Sequence, residues 1–197
     1  RGIEPLYDAG RLGCILIQFP WSFKYLPSSR RYLGELVEKF GEYPLVIEMR
    51  NASWDNSELY SFLEEKGAGF CNIDQPRMRR QLRPTERATS PVGYVRLHGQ
   101  NIENWFKQDA GRDQRYNYLY SMDELDPWVR RIRSIADQAE STYGITNNHY
   151  RGQAVANALQ LQFLLRGDKV ATPDSLQAVY PELKKVSRTA PTQETLF

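Results

Sequence analysis

The sequence predicts an α/β fold, a β/α barrel with about five of its eight strand–helix units present, and two observations carry that expectation. Short apolar runs alternate with helical patterns along the chain, and polar residues recur with a single parity near the C-terminal ends of those runs. Alternating strands and helices make right-handed βαβ units and hence a parallel sheet. Repetition of the unit favours closure into a barrel, which needs eight strands and typically about 250 residues. With 197 residues, 41% of them hydrophobic, the chain has the size of one domain (1–197) and a core that needs no covalent staples.

Taken in order, strands are expected at residues 12–19, 44–49, 68–74 and 92–98, with a weaker one at 143–147. Ser28 and Ser29 precede Tyr32, Leu33, Leu36, Val37 and Phe40 on one helix face, with Gly41 behind them as a stop signal. Asp55, Asn56 and Ser57 open a second helix that carries Leu59, Phe62 and Leu63 and closes at Gly67. Ser121 and Glu124 form a capping box ahead of Leu125, Trp128, Val129, Ile132, Ile135 and Ala139. A last helix carries Ala154, Ala158, Leu161, Leu164 and Leu165 and ends near Gly167. Beyond Thr172 one short helix is expected, followed by an irregular tail from about residue 183.

Bulk composition excludes several classes. A net charge of +2, from 26 basic and 24 acidic residues interspersed along the chain, is an ordinary solvated surface, so nucleic acid is not an expected partner. Arg77, Arg79, Arg80, Arg83 and Arg87 lack the interleaved aromatic residues that stack on bases and read as a solvated loop. Cys14 and Cys71 sit in apolar runs without CxxC spacing and read as reduced core thiols, which suits a cytoplasmic location. No run approaches the roughly 20 apolar residues of a membrane span, and no signal segment opens the chain. The chain starts at Arg1 without an initiator methionine, which leaves two expectations open: the roughly three absent strand–helix units were removed ahead of it, or they were never included.

The chemistry is expected at the strand ends. A parallel strand covered on both faces should be almost continuously apolar, so polar residues of one parity near its end require a reason. Here they are Gln18, then Glu48 and Arg50, then Asn72 and Asp74, then Tyr94, Arg96 and His98. In a barrel these directions converge on the catalytic mouth, bringing Gln18, Glu48, Arg50, Asp74, Arg96 and His98 within reach of one ligand. The competing reading is a buried ion network that only fills the barrel. His98 reads as an acid/base, a metal ligand or a satisfied core histidine. Glu48, Asp74 and His98 together would suit a divalent metal, the one cofactor the sequence admits without requiring it, and the two nearby arginines argue against that. Asn147 and Asn148 ahead of a helix N-terminus make an anion or hydroxyl site or an ordinary cap, with Asn157 placed to hold the loop. Residues 101–120, rich in aromatics such as Trp105, Tyr116, Tyr118 and Tyr120, are expected to lie over the mouth.

These residues predict an enzyme acting on a small hydroxylated or phosphorylated compound. Glu48, Asp74 or His98 would move protons, Arg50, Arg96, Asn147 and Asn148 would hold oxygens, Gln18 would orient the substrate, and Trp54 would wall the pocket. Two rivals stand beside it: metal-dependent phosphodiester hydrolysis and ligand binding without turnover. A sheet left open would expose two edges and favour self-association.

The motifs LGCILIQFPWSF (residues 12–23), VIEMRNASW (46–54), YVRLHG (94–99) and NNHYRGQAVANALQL (147–161) resemble the YecE-like family, also called domain of unknown function 72. The resemblance runs from residue 12 to about 183. It implies a TIM-type barrel of which this chain carries the last five of eight units, since the family's strands ahead of the QFP strand, with their GWxY-like opening, are not in this sequence. It also implies kinship with sugar isomerases, an analogy of fold alone.

Overall fold

The computed structural model describes residues 2–105, 107, 109 and 111–189. Five strands, β1 (Ile15–Gln18), β2 (Leu45–Glu48), β3 (Gly69–Asp74), β4 (Val92–Leu97) and β5 (Ser141–Thr146), form one parallel sheet in the order in which they occur in the chain. Around them run α1 (Glu4–Asp8), α2 (Pro27–Lys39), α3 (Ser57–Glu65), α4 (Ile102–Trp105), α5 (Arg112–Arg115), α6 (Met122–Ala136) and α7 (Gln153–Arg166). Every expected strand is present. Among the described residues no helix is long and apolar enough to cross a membrane.

Local signals placed most helix ends. The Asn56 side chain accepts the Leu59 amide at 3.0 Å to start α3, and Gly67, at φ 64°, follows its end. Both halves of the Ser121/Glu124 capping box form at the start of α6. The start of α2 differs from expectation. Leu26 is the extended residue before the helix and Pro27 takes the first helical position, where its fixed φ and missing N–H cost nothing, so Ser28 and Ser29 lie inside.

Among the described residues no barrel closure is seen, so the five units expected of a TIM-type barrel stand as an open parallel sheet. β1 and β5 are the two edges and do not pair with each other. The sheet is nonetheless strongly curled. In a flat sheet β1 and β5 would stand about 19 Å apart, four spacings of about 4.8 Å. Yet the hydroxyl of Tyr143 on β5 comes so near Gly13, just ahead of β1, that a Cβ there would lie 2.5 Å from it. The concave face is therefore drawn together while its rims stay open: Tyr143 and Ile145 on β5 are exposed, against the expectation of a buried strand. The convex face is the core. Ile47, Phe70, Val95 and Leu97 pack beneath Leu33 and Val37 of α2, Leu63 of α3, and Leu125 and Val129 of α6. Burying each such side chain is worth about 1.5–3 kcal/mol.

Two features depart from the regular unit. Residues 75–91, between β3 and β4, contain no helix, and this strap covers the sheet instead. Its backbone must find partners, and Asn72 supplies them: its oxygen accepts the Arg87 amide and the Thr85 hydroxyl, both at 2.8 Å, while its nitrogen donates to the Arg87 carbonyl at 2.8 Å. Past α7, the expected irregular tail is built as far as residue 189. β6 (Val170–Thr172) and β7 (Ser187–Thr189) make a separate two-stranded parallel sheet around α8 (Asp174–Val179), with Leu183 and Val186 buried. Residues 190–197 lie outside the described part.

Candidate functional site

Sheet register decides which strand-end residues meet. Gln18 pairs with Glu48, and Ile47 with Phe70, which puts Glu48 level with Cys71; Cys71 then pairs with Tyr94 and Tyr94 with Tyr143. One step further, Arg96 pairs with both Ile73 and Ile145. Because side chains alternate along a strand, Gln18, Glu48, Arg50, Cys71, Ile73, Gln75, Arg96, His98 and Asn147 belong to the concave face. Asn72 and Asp74 belong to the convex one.

At the centre of the concave face lies Glu48, with no exposed surface. One carboxylate oxygen accepts Arg50 Nε at 2.9 Å and His98 Nε2 at 3.1 Å, and the other accepts Arg96 Nη1 at 2.7 Å. The same Arg96 nitrogen donates to Gln18 Oε1 at 2.6 Å, and Nη2 donates to Asn147 Oδ1 at 3.3 Å. Asn147 Nδ2 lies 3.0 Å from His98 Nδ1. An amide N–H can only donate, so Nδ1 is the acceptor and the proton of the neutral ring sits on Nε2, directed at Glu48. Burial alone would raise the Glu48 pKa, but the His98 hydrogen bond and the two guanidinium charges outweigh it and hold the carboxyl well below the usual carboxylate range. Burial pushes the His98 pKa down, against the pull of Glu48 and with the help of Arg50 and Arg96.

The chemical consequence is a division of labour. Glu48 stays ionised and His98 neutral, both out of reach of solvent, while Arg50 and Arg96 remain partly exposed above them. A cavity of about 190 Å³ opens on this layer, bounded by Arg50, Gln75, Arg115, Trp21, Trp105 and Tyr116. Trp105 packs edge-on against the His98 and Tyr116 rings, so these two aromatics of the segment lie over the strand ends. Trp21 is fixed from two sides, its carbonyl accepting from Asn51 Nδ2 at 2.8 Å and its indole donating to the Arg80 carbonyl at 3.2 Å. Gln75 Oε1 and Arg96 Nε, both buried, have no hydrogen-bond partner among the described residues. Nothing in the sequence singles out Trp21, Gln75 or Arg115, although Gln75 continues the parity of Cys71 and Ile73.

Three expected site residues go elsewhere. Asp74 faces the helices and takes Tyr120 Oη at 2.5 Å and Gln100 Nε2 at 2.7 Å, because β3 turns that parity outward. Glu48, Asp74 and His98 therefore do not converge, and among the described residues no three His, Cys, Asp or Glu side chains are placed to share a metal ion. Trp54 cannot wall the cavity. It is 1% exposed, stacked on Phe23 at 5.2 Å and donating its indole N–H to the Phe23 carbonyl at 2.8 Å, because the turn Ala52–Trp54 folds it into the core. Asn148 is buried and splits from Asn147, donating to the Tyr118 carbonyl and to Asn157 Oδ1, each at 2.7 Å. Asn157 in turn bonds both backbone groups of Tyr120, holding the loop as its position suggested. Gln18, Glu48, Arg50, Arg96, His98 and Asn147 are the expected residues that meet.

A family model described as "Protein of unknown function DUF72" matches residues 1–181. The chain belongs to the DUF72 family. This DUF72 chain is 31% identical over 172 residues to the UPF0759 protein YunF of Bacillus subtilis (strain 168), which covers 83% of the chain and 61% of YunF. Among solved structures, the DUF72 family protein TM1631 from Thermotoga maritima MSB8 matches with a TM-score of 0.78 at 38% identity, over 83% of this chain and 61% of that one. The DUF72 family protein EF0366 from Enterococcus faecalis V583 matches with a TM-score of 0.77 at 26% identity, over 87% of this chain and 64% of that one. The chain thus spans less than two thirds of the length of these relatives. The resemblance carried by the four sequence motifs is borne out.

Proposed function

We propose that the concave face binds a small hydroxylated or phosphorylated compound of sugar-like chemistry and that, in the whole protein, it serves an isomerase- or lyase-type reaction on that compound. One observation carries this reading: two partly exposed guanidiniums are locked onto a single buried, ionised carboxylate, and one of them, Arg50, lines an aromatic-walled cavity. Arg50 and Arg96 are held in place before any ligand arrives, which is what stabilising a carbonyl or phosphate oxygen requires. Trp21, Trp105 and Tyr116 offer apolar faces to a carbon skeleton. Glu48 acts by positioning the arginines and not by moving a proton. The curl of the sheet, with strands in chain order, supports its being an arc of a TIM-type barrel, the remaining units coming from the part of the relatives that this chain does not span.

A second reading, binding without turnover, is favoured by the burial of Glu48 and His98, since neither has an atom open to a ligand. Thermal-shift measurements on the intact protein with sugars and sugar phosphates separate the outcomes. A stabilising shift that vanishes in Arg96→Ala supports the site, and turnover of the same compound decides for catalysis. A shift that persists in Arg96→Ala refutes the site.

A further inference from the structure

The strap between β3 and β4 forms a second cavity, larger than the one on the concave face. It measures about 630 Å³, and its lining includes Arg77, Arg79, Arg83, Gln81 and Leu82 from the strap and Arg131 from α6. Among the described residues no carboxylate lines it. The nearest acidic groups stand outside: Glu86, 3.7 Å from Arg131 Nε, and Asp74, Asp123 and Glu124, which line an adjoining cavity together with Arg77 and Arg131. Arg79 and Arg83 make no hydrogen bond or ion pair with the described residues.

Two observations separate this from the solvated loop that the sequence suggested. The backbone of the strap is fixed. The Arg80 carbonyl accepts the Ala52 amide at 2.9 Å and the Trp21 indole at 3.2 Å, and the Leu82 amide donates to the Arg50 carbonyl at 2.9 Å. Arg80 is held in the left-handed region at φ 67°, a conformation that a non-glycine residue keeps only when its surroundings over-determine it, as happens at ligand clamps. The second observation is Gln81. It is 5% exposed, and neither its Oε1 nor its Nε2 has a hydrogen-bond partner among the described residues. A buried amide idle at both ends is costly, and a ligand with both acceptor and donor groups would satisfy it.

We infer that this cavity is a binding site for a small phosphate-bearing compound, distinct from the concave-face site, in which the arginines neutralise the phosphate oxygens and the Gln81 amide meets the ligand at the cavity floor. The guanidinium fork matches phosphate geometry, and the cavity has the size of a small-molecule pocket. A nucleic acid backbone is the weaker fit, because among the described residues no aromatic side chain lines the cavity to stack on a base.

The experiment is calorimetry and thermal shift on the intact protein with inorganic pyrophosphate at about 50 and about 300 mM NaCl. One-to-one binding that weakens with salt is expected, falling at least about tenfold in the double variant Arg79→Ala/Arg83→Ala, whose exposed side chains leave the fold intact. Gln81→Leu is expected to weaken pyrophosphate binding while raising Tm, since it removes an unsatisfied amide. The absence of both heat and thermal shift, an unchanged Kd in the double variant, or binding lost in Arg96→Ala instead would each overturn the inference. So would tighter binding of oligothymidylate that strengthens with length, which would assign the arginines to nucleic acid. Because Arg79, Arg83 and Gln81 line this cavity while Arg96 belongs to the Glu48 cluster of the concave face, failure here leaves the concave-face reading standing, and the reverse holds as well.

Discussion

Glu48 and Asp74 are both buried carboxylates at the ends of neighbouring strands, yet their environments make them opposite kinds of group. On the concave face Glu48 meets two guanidiniums and an imidazole N–H, and its pKa is driven far down. On the convex face burial raises the Asp74 pKa, and the neutral donors Tyr120 and Gln100 offset this only in part. The difference teaches that burial alone does not set the state of a carboxyl. What faces it does, and here that follows from which side of one sheet the side chain leaves.

The hardest way to break this contrast is Glu48→Gln. The amide would aim N–H at one of its donors and strand the cations, so a loss of about 3–5 kcal/mol is expected in urea unfolding. Next comes Asn72→Ala on the convex face, which removes the partners of the Arg87 backbone groups in the strap and should cost about 1–2 kcal/mol by the same measurement. Asp74→Asn should cost within about 1 kcal/mol at neutral pH, because its partners are uncharged and Tyr120 Oη also accepts the Gly99 amide.

The pH dependence sharpens the comparison further. The folded-state pKa of Glu48 is depressed, so its contribution is present above the unfolded value of about 4.3 and is lost as pH falls toward the folded one. The folded-state pKa of Asp74 is raised, so its contribution is complete below the unfolded value of about 3.9 and is lost as pH rises through the folded one. Unfolding curves from about pH 3 to pH 8 should therefore lose their acid slope in Glu48→Gln and flatten in the opposite sense in Asp74→Asn. Slopes of the same sign for both variants would refute the assignment.

Much of this was legible in the sequence. Apolar runs located all five sheet strands, and Asn56 and the Ser121/Glu124 box marked helix starts, because those signals act within a few residues. Gln18, Glu48, Arg50, Arg96 and His98 shared a face as period two requires. Asp74 failed for a physical reason: polar residues on β3 were read as pointing toward a ligand, whereas the unit lacks its helix and Asn72 serves the strap that replaces it. Register between strands, which decides that parity, is not written in either strand alone. Trp54 had the right composition for a pocket wall, but the turn that buries it depends on Phe23 and Tyr25, far away in sequence. β6 and β7 are three residues each, too short to show any alternation.

Sheet order that follows chain order has a consequence for assembly. Each strand finds its partner in the segment made just before it, so the framework can grow one strand at a time with short loops to close. The charges do not follow that schedule. Glu48 receives Arg96 from 48 residues downstream, and Gln18 waits for the same guanidinium across 78. Until β4 is in place the carboxylate keeps its water, and the arrival of one arginine both dries the concave face and joins its first strand to its fourth.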